Sequence, residues 1–418
     1  MVALNFLAWA VGLFKTPHIY QDFLGQWKLC AYVLHGIDPY PLIGAEIPKI
    51  EELGIIPANW GTTPYGLLLG NLFYAGFLAM NTAAQIPSTP LMTIEKDLIN
   101  YHATNATFEP AEIYFIVING ILLLATAIII FQTFKNLSLK FAWTACLLAI
   151  FSAVQLIPLI NTGNASSIIC CLLILISFLQ EDYPKLSGVL LAFAMVKPQL
   201  ALIFCLPLLL MRRFKILFIA AAIDIAAWLI VSFMVNTSPI TLLTEFLSTG
   251  AGGATSYAGI FTLFTASNHN LAMELSMLAG IIYVCICHKF LSGCKISAFK
   301  FFPACIAATF WSYSFYNDFY ILILPAMVCV YVMIESSDFA IPFGAALFMT
   351  FGLFILMIFL AKITSLLGVV DWNTLLSLNT VPNYVVHTWI TRTFFEVVVI
   401  LIGIYLCGRL KNILRNDL

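Results

Sequence analysis

The sequence predicts an all-α, polytopic integral membrane protein, with about twelve transmembrane helices in a single domain over residues 1–418. Composition carries the first half of that expectation. Of 418 residues 62% are hydrophobic and 9% charged, against about 25% charged in an ordinary soluble domain. The second half comes from run length. Apolar stretches of roughly 17 to 25 residues recur along the chain, and that is the length of helix that crosses about 30 Å of hydrocarbon.

In chain order the expected spans are 1–14, 64–80, 113–133, 141–160, 165–180, 186–211, 216–235, 270–288, 301–315, 318–335, 340–362 and 390–408. The first is short and lacks the basic start and small-residue cleavage site of a signal peptide, so it is expected to be a retained helix. A polar insert at 81–112 carries Glu95, Lys96, Asp97, Glu109 and Glu112. Within 186–211 the pair Lys197-Pro198 interrupts the apolar run, and a proline removes a backbone donor, so this element is expected to kink or break there. The small-residue stretch 247–258 has neither the strand before it nor the Lys-Ser/Thr ending of a phosphate loop and reads as flexible cover. No linker separates two halves of the chain.

Basic residues orient the bundle, because cytoplasmic loops accumulate Lys and Arg. Arg212, Arg213 and Lys215 form one cluster, Lys289, Lys295 and Lys300 a second, Arg409, Lys411 and Arg415 a third. Twelve crossings put all three inside with both termini, and put loops 15–63, 236–269 and 363–389 outside. That version leaves Lys135 and Lys140 outside. The alternative is that 186–211 is a pair of half-helices turning back at Lys197, in which case counting moves every earlier loop to the other side.

Composition also excludes partners and cofactors. A net charge of −1 leaves no basic stripe for nucleic acid. The eleven cysteines fall mostly inside apolar runs, where a thiol behaves as a small hydrophobe, and Cys285, Cys287 and His288 lack haem or zinc spacing. No metal-ligand set clusters in the sequence, so a reaction without metal or cofactor is expected.

Four polar groups remain as candidate chemistry. The first loop holds Asp22, an isolated carboxylate at the mouth of a lipid-embedded bundle, where an enzyme acting on lipid-carried substrates would place its base. It continues to Gly36, Asp38-Pro39 and Tyr40; the stretch between the acids, with Phe23, Trp27, Cys30, Tyr32 and Leu34 at helical spacing, suits an interfacial helix. The bland readings are a cap for Asp22 and a turn for Asp38. Asn161-Thr162-Gly163-Asn164 follows Pro158 and could meet sugar hydroxyls or simply turn the chain between helices. Lys197, with Gln199 two residues on, is a charge at membrane depth, which is costly and therefore functional or paired. It meets an anionic ligand group, pairs with an acid such as Asp224, or lies at the interface. Finally, Asn317-Asp318 lies among Trp311, Tyr313, Tyr316 and Tyr320, whose rings suit an interfacial belt, and the pair either lines a polar cavity or makes a turn.

Taken in order, Asp22 through Gly36-Ile37-Asp38-Pro39-Tyr40, the Asn164 stretch, the run ending Lys197-Pro198-Gln199, and Tyr316-Asn317-Asp318 resemble glycosyltransferase family 87. The resemblance implies the multi-span GT-C fold and transfer of mannose, or a related hexose, from a polyprenyl-phosphate donor to a lipid-linked or glycan hydroxyl acceptor. It implies Asp22 as the essential acid, with Gly36, Asp38 and Tyr40 matching the family's Gly-x-Asp-Pro-Tyr and Lys197 and Gln199 its Lys-Pro-Gln. The chain departs from the family at Gly163-Asn164, where relatives carry Gly-Gln, and is only similar to it at Asn317-Asp318.

Elementary chemistry is compatible with that assignment. A single inverting displacement needs one carboxylate to take the acceptor's proton, a role open to Asp22. The departing lipid phosphate needs a cation rather than an acid, which suits Lys197 or Arg392 reaching from an outer loop. The expected setting is a bacterial plasma membrane, with membrane lipids around the bundle and the site facing outside. Two rivals belong to other classes. A lipid or sugar transporter should show broken helices in matching halves, and a polyprenyl-linked polysaccharide polymerase or ligase should carry arginines in a large late loop, whereas 363–389 has none.

Overall fold

The computed structural model describes residues 26, 29–30, 32–41, 63–74, 108–152, 164–253, 260–261, 269–311, 320–335, 340–350 and 382–416. Among them the chain is helical throughout, with no strand. The helices are α1 Pro64–Leu69, α2 Asn71–Tyr74, α3 Phe108–Phe134, α4 Leu139–Ser152, α5 Ser166–Leu179, α6 Pro184–Ala194, α7 Pro198–Leu210, α8 Phe214–Met234, α9 Pro239–Gly253 and α10 His269–Phe290. A 3₁₀ turn, Ser297–Phe301, leads into α11 Phe302–Phe310, followed by α12 Ile323–Glu335, α13 Ala340–Thr350 and α14 Pro382–Asn416.

Four stretches among the described residues are long and apolar enough to cross a membrane: Ile113–Phe134, Phe214–Met234, Leu271–Phe290 and Arg392–Ile413. The remaining apolar helices are shorter. Of the expected spans, 1–14 lies outside the described residues, and 64–80 is described only as far as 74, where it forms the short α1 and α2 rather than one long helix. The four long helices carry exposed apolar side chains, such as Phe218 and Phe233 on α8 and Leu401 on α14. That is the pattern of helices facing lipid. In contrast α5, α11 and the described part of α12 bury almost every side chain and form the centre of the bundle.

The expected span 186–211 is not one helix. α6 ends at Ala194 and α7 begins at Pro198, whose missing N–H costs nothing at a first helical position. Two contacts give the direction of each piece. At one end of α5 the Lys197 ammonium donates to the Ser166 hydroxyl; just past the other end Arg213 pairs with Glu181 at 2.5 Å. So α6 runs from the Glu181 end to the Ser166 end, and α7 runs back. This is the turn-back alternative, a hairpin of two half-length helices.

The three basic clusters gather at the Glu181 end. Arg213 lies there, Gln180 donates to Ser297 at 3.0 Å beside Lys295 and Lys300, and Lys411 stands 5.1 Å over the Phe290 ring, next to Lys289. Phe134, which precedes Lys135, packs against Phe178 and Phe299 at the same end. The hairpin thus removes the difficulty of the twelve-crossing count, since Lys135 joins the other basic residues. It does not carry the Asp38 loop along with it, as that count required. Gly36 lies against the C-terminal end of α8, where an added Cβ would stand 3.1 Å from the Met234 carbonyl oxygen. Its φ of +72° is one that only glycine adopts freely. The loop therefore sits at the end opposite the basic clusters.

Close helix contact holds this arrangement. A Cβ on Gly188 of α6 would come within 2.7 Å of Ile219 Cβ on α8, so the small residue lets the two backbones approach as membrane helices commonly do.

Candidate functional site

Two polar groups lie at the end opposite the basic clusters, one on each side of α6, which packs against both α5 and α8. The first is built at the starts of α5 and α7. Asn164 Oδ1 accepts from the Ser166 backbone N–H at 2.9 Å and from the Ser166 hydroxyl at 2.6 Å. Lys197, the residue capping α7, donates to the same hydroxyl. One serine thus links the amide of Asn164 to the ammonium of Lys197. Beneath it Ser167 donates to Asn119 Oδ1, and Asn119 Nδ2 donates to the Phe115 carbonyl at 2.8 Å, which ties the group to α3. Gln199 anchors α11 through its backbone carbonyl, which accepts from Trp311 Nε1 at 2.7 Å. Two helix N-termini and a lysine converge here, so the local field is positive.

The second group joins the first loop to the α8–α9 junction. Asp38 Oδ1 accepts from the Tyr40 N–H at 3.1 Å and Oδ2 from the Thr237 hydroxyl at 3.0 Å. Asp38 thus makes the turn that the Asp-Pro step suggested and also fastens the loop to α8. Tyr40 is buried, with its ring 6.0 Å from Phe246 of α9. Glu245, also on α9, approaches Asp38; burial, then the charge of Asp38 and a hydrogen bond to it, raise the Glu245 carboxyl above its ordinary range. This side of the site is acidic.

Of the residues singled out from sequence, Asp38, Tyr40, Asn164, Lys197 and Gln199 reach one end of the bundle, divided between these two groups. Asp22, Asn317 and Asp318 lie outside the described residues. Two expectations need correction. Asp224 is not the partner of Lys197: it sits at the midpoint of α8 and makes no ion pair among the described residues. Nor is Arg392 a loop cation. α14 begins at Pro382, so Arg392 is helical and buried, paired with Glu396 at 2.9 Å and 3.4 Å from the Thr309 carbonyl.

Ser166, Asn119, Thr237 and Glu245 were not singled out from sequence. A serine or asparagine inside an apolar helix carries no pattern of its own. Glu245 did have a signal, as the sole acid between Asn236 and His269.

The model of glycosyltransferase family 87 matches residues 102–334. The matched stretch contains Asn164, Lys197, Gln199, Asn317 and Asp318 and begins after Asp22, Asp38 and Tyr40. No curated protein and no solved structure matches the chain.

Proposed function

The chain belongs to glycosyltransferase family 87, whose model covers more than half of it, and is a membrane glycosyltransferase; we propose that it moves a hexose, mannose first among them, from a polyprenyl-phosphate donor to a lipid-linked or glycan hydroxyl. The observation that carries this reading is the Lys197 group. An ammonium beside two helix N-termini suits the phosphate of such a donor, and Ser166 and Asn164 hold it in place.

Transfer proceeds in one displacement. The acceptor oxygen attacks the anomeric carbon as the bond from that carbon to the phosphate oxygen breaks. Asp22 takes the acceptor's proton, and the electron pair leaves with the lipid phosphate, whose growing charge Lys197 offsets. One inversion converts a β-linked donor into an α-linked product. The site faces the outside of a bacterial plasma membrane, because the Lys197 and Asp38 groups lie opposite the basic clusters, which remain in the cytoplasm. Asp38 holds the first loop to α8 and Tyr40 packs its base. We assign substrate binding to Gln199, Asn317 and Asp318 as well.

The test is transfer from polyprenyl-phosphate mannose to a panel of acceptors by purified protein, wild type beside Asp22→Asn. Loss of a general base should lower kcat by about 10²–10⁴. Undiminished turnover by the asparagine variant would remove Asp22 from the reaction.

A further inference from the structure

Trp311, a candidate for the interfacial belt by sequence, is 4% exposed and closes the end of α11. Its backbone N–H reaches the Ala307 carbonyl at 2.9 Å and so extends the last turn of that helix. Its indole Nε1 donates to the Gln199 carbonyl at 2.7 Å, across 112 positions of sequence. A buried indole N–H needs a partner, and here it is the second residue of α7, two positions past Lys197.

The tryptophan is itself held firmly. An added Cβ on Gly280 of α10 would stand 2.5 Å from Trp311 Cβ and 3.6 Å from its Cα, so α10 leaves it no room on that side. Arg392 of α14, paired with Glu396 at 2.9 Å, lies 3.4 Å from the Thr309 carbonyl and fixes the last turn of α11. α11 is buried along its length, and α7 packs against both α10 and α11.

The start of α7 moves with Lys197. Pro198 has no N–H to give, and Leu200 and Ala201 both return theirs to the Lys197 carbonyl, at 3.0 and 3.2 Å. The Lys197 N–H in turn bonds the Ala194 carbonyl at 3.1 Å, within the same hairpin. The tip of the hairpin is tied to α5 through the ammonium on Ser166 and to α11 through the Gln199 carbonyl on Trp311. The first tie uses the very group that an anion engages. The second is made by a backbone carbonyl and stays whatever the ammonium does.

We propose that Trp311 is a positioning residue for the anion site at Lys197: its indole N–H, backed by Gly280 and by the pair of Arg392 with Glu396, holds the start of α7 so that the ammonium and the helix end face an arriving phosphate together. A lysine has a long flexible stem, and its charge is aimed only as well as its backbone is held. A misplacement of about 1 Å at such a site costs up to about 10²-fold. That the anion is the phosphate of a sugar donor rests on the transferase reading.

The full chain in lipid nanodiscs is titrated calorimetrically with farnesyl phosphate, as wild type, Trp311→Phe, Lys197→Ala and the double variant. Trp311→Phe keeps an aromatic ring, loses the N–H and should weaken binding about fivefold, and Lys197→Ala about tenfold or more. In the Lys197→Ala background the tryptophan substitution should add almost nothing, because the tether acts through the lysine. A packing defect would weaken both backgrounds alike, so equal losses overturn the proposal. Gly280→Ala keeps the indole N–H but displaces the ring; it should reproduce the loss and its dependence on Lys197, which covers a Trp311→Phe chain that fails to fold. Wild-type affinity in both variants overturns the tether and leaves the Lys197 site standing. Binding that ignores Lys197→Ala removes the anion site, and the tether with it. The expected pattern without sugar transfer from polyprenyl-phosphate mannose overturns only the transferase reading.

Discussion

Lys197 stands where two helices begin. The N-terminal ends of α5 and α7 both carry partial positive charge, and the Ser166 hydroxyl holds the ammonium beside them. An anion arriving there meets the ammonium and both helix ends, so Lys197→Ala should raise the KM for the polyprenyl-phosphate donor about tenfold or more while leaving thermal stability and the acceptor KM unchanged. Donor titration and a melting curve on the same preparation decide it; unchanged donor affinity with a lowered Tm would make the lysine structural. This residue was legible because a charge inside an apolar run is conspicuous. Ser166, which aims it, was not: serine is ordinary in membrane helices, and only the approach of 197 to 166 gives it a task. Asp38 was half legible, since Asp-Pro announces a turn, while its bond to Thr237 spans 199 positions of sequence. Arg392 was misjudged because the polar stretch before it looked like a loop and is helix.

Helices show the same division between local and distant information. The break at Lys197-Pro198 follows from proline chemistry and was expected; the reversal of the chain there depends on the contacts of Ser166 and Arg213, which no local pattern encodes. α9 adds an element whose docking responds to pH. Its Glu245 meets Asp38 and Tyr40 of the first loop, and burial with the neighbouring charge raises the Glu245 carboxyl above its usual 4.5. The folded state therefore favours the protonated form. Its stabilising contribution is complete below the ordinary glutamate range and is lost as pH rises through the raised value. Amide exchange along α9 should quicken as pH rises above the ordinary glutamate range, beyond the intrinsic base-catalysed rise, and Glu245→Gln should remove that excess. An identical excess in the glutamine variant would exonerate the carboxyl.

For the whole molecule, the membrane class was plain in composition, whereas sidedness was not, because counting spans compounds every error in a boundary. Packing replaces the count. Basic clusters scattered from Lys135 to Lys411 converge on one end, and Asp38, Thr237 and Lys197 on the other. A membrane-impermeant thiol reagent applied to intact cells should label Ser238→Cys directly and Lys215→Cys only after permeabilisation, both positions being exposed. The reverse pattern would place the candidate site in the cytosol.

α6 and α7 contain 11 and 13 residues, so each rises only about 16–20 Å through hydrocarbon about 30 Å thick. Lipid reaching the exposed side of this hairpin, at Leu186, Leu202 and Leu209, would meet a stretch shorter than the hydrocarbon, a case of hydrophobic mismatch. The resulting dimple would bring the headgroup layer down to Lys197. A charged head group carried on a lipid tail would then reach Lys197 sideways, without being lifted out of the bilayer.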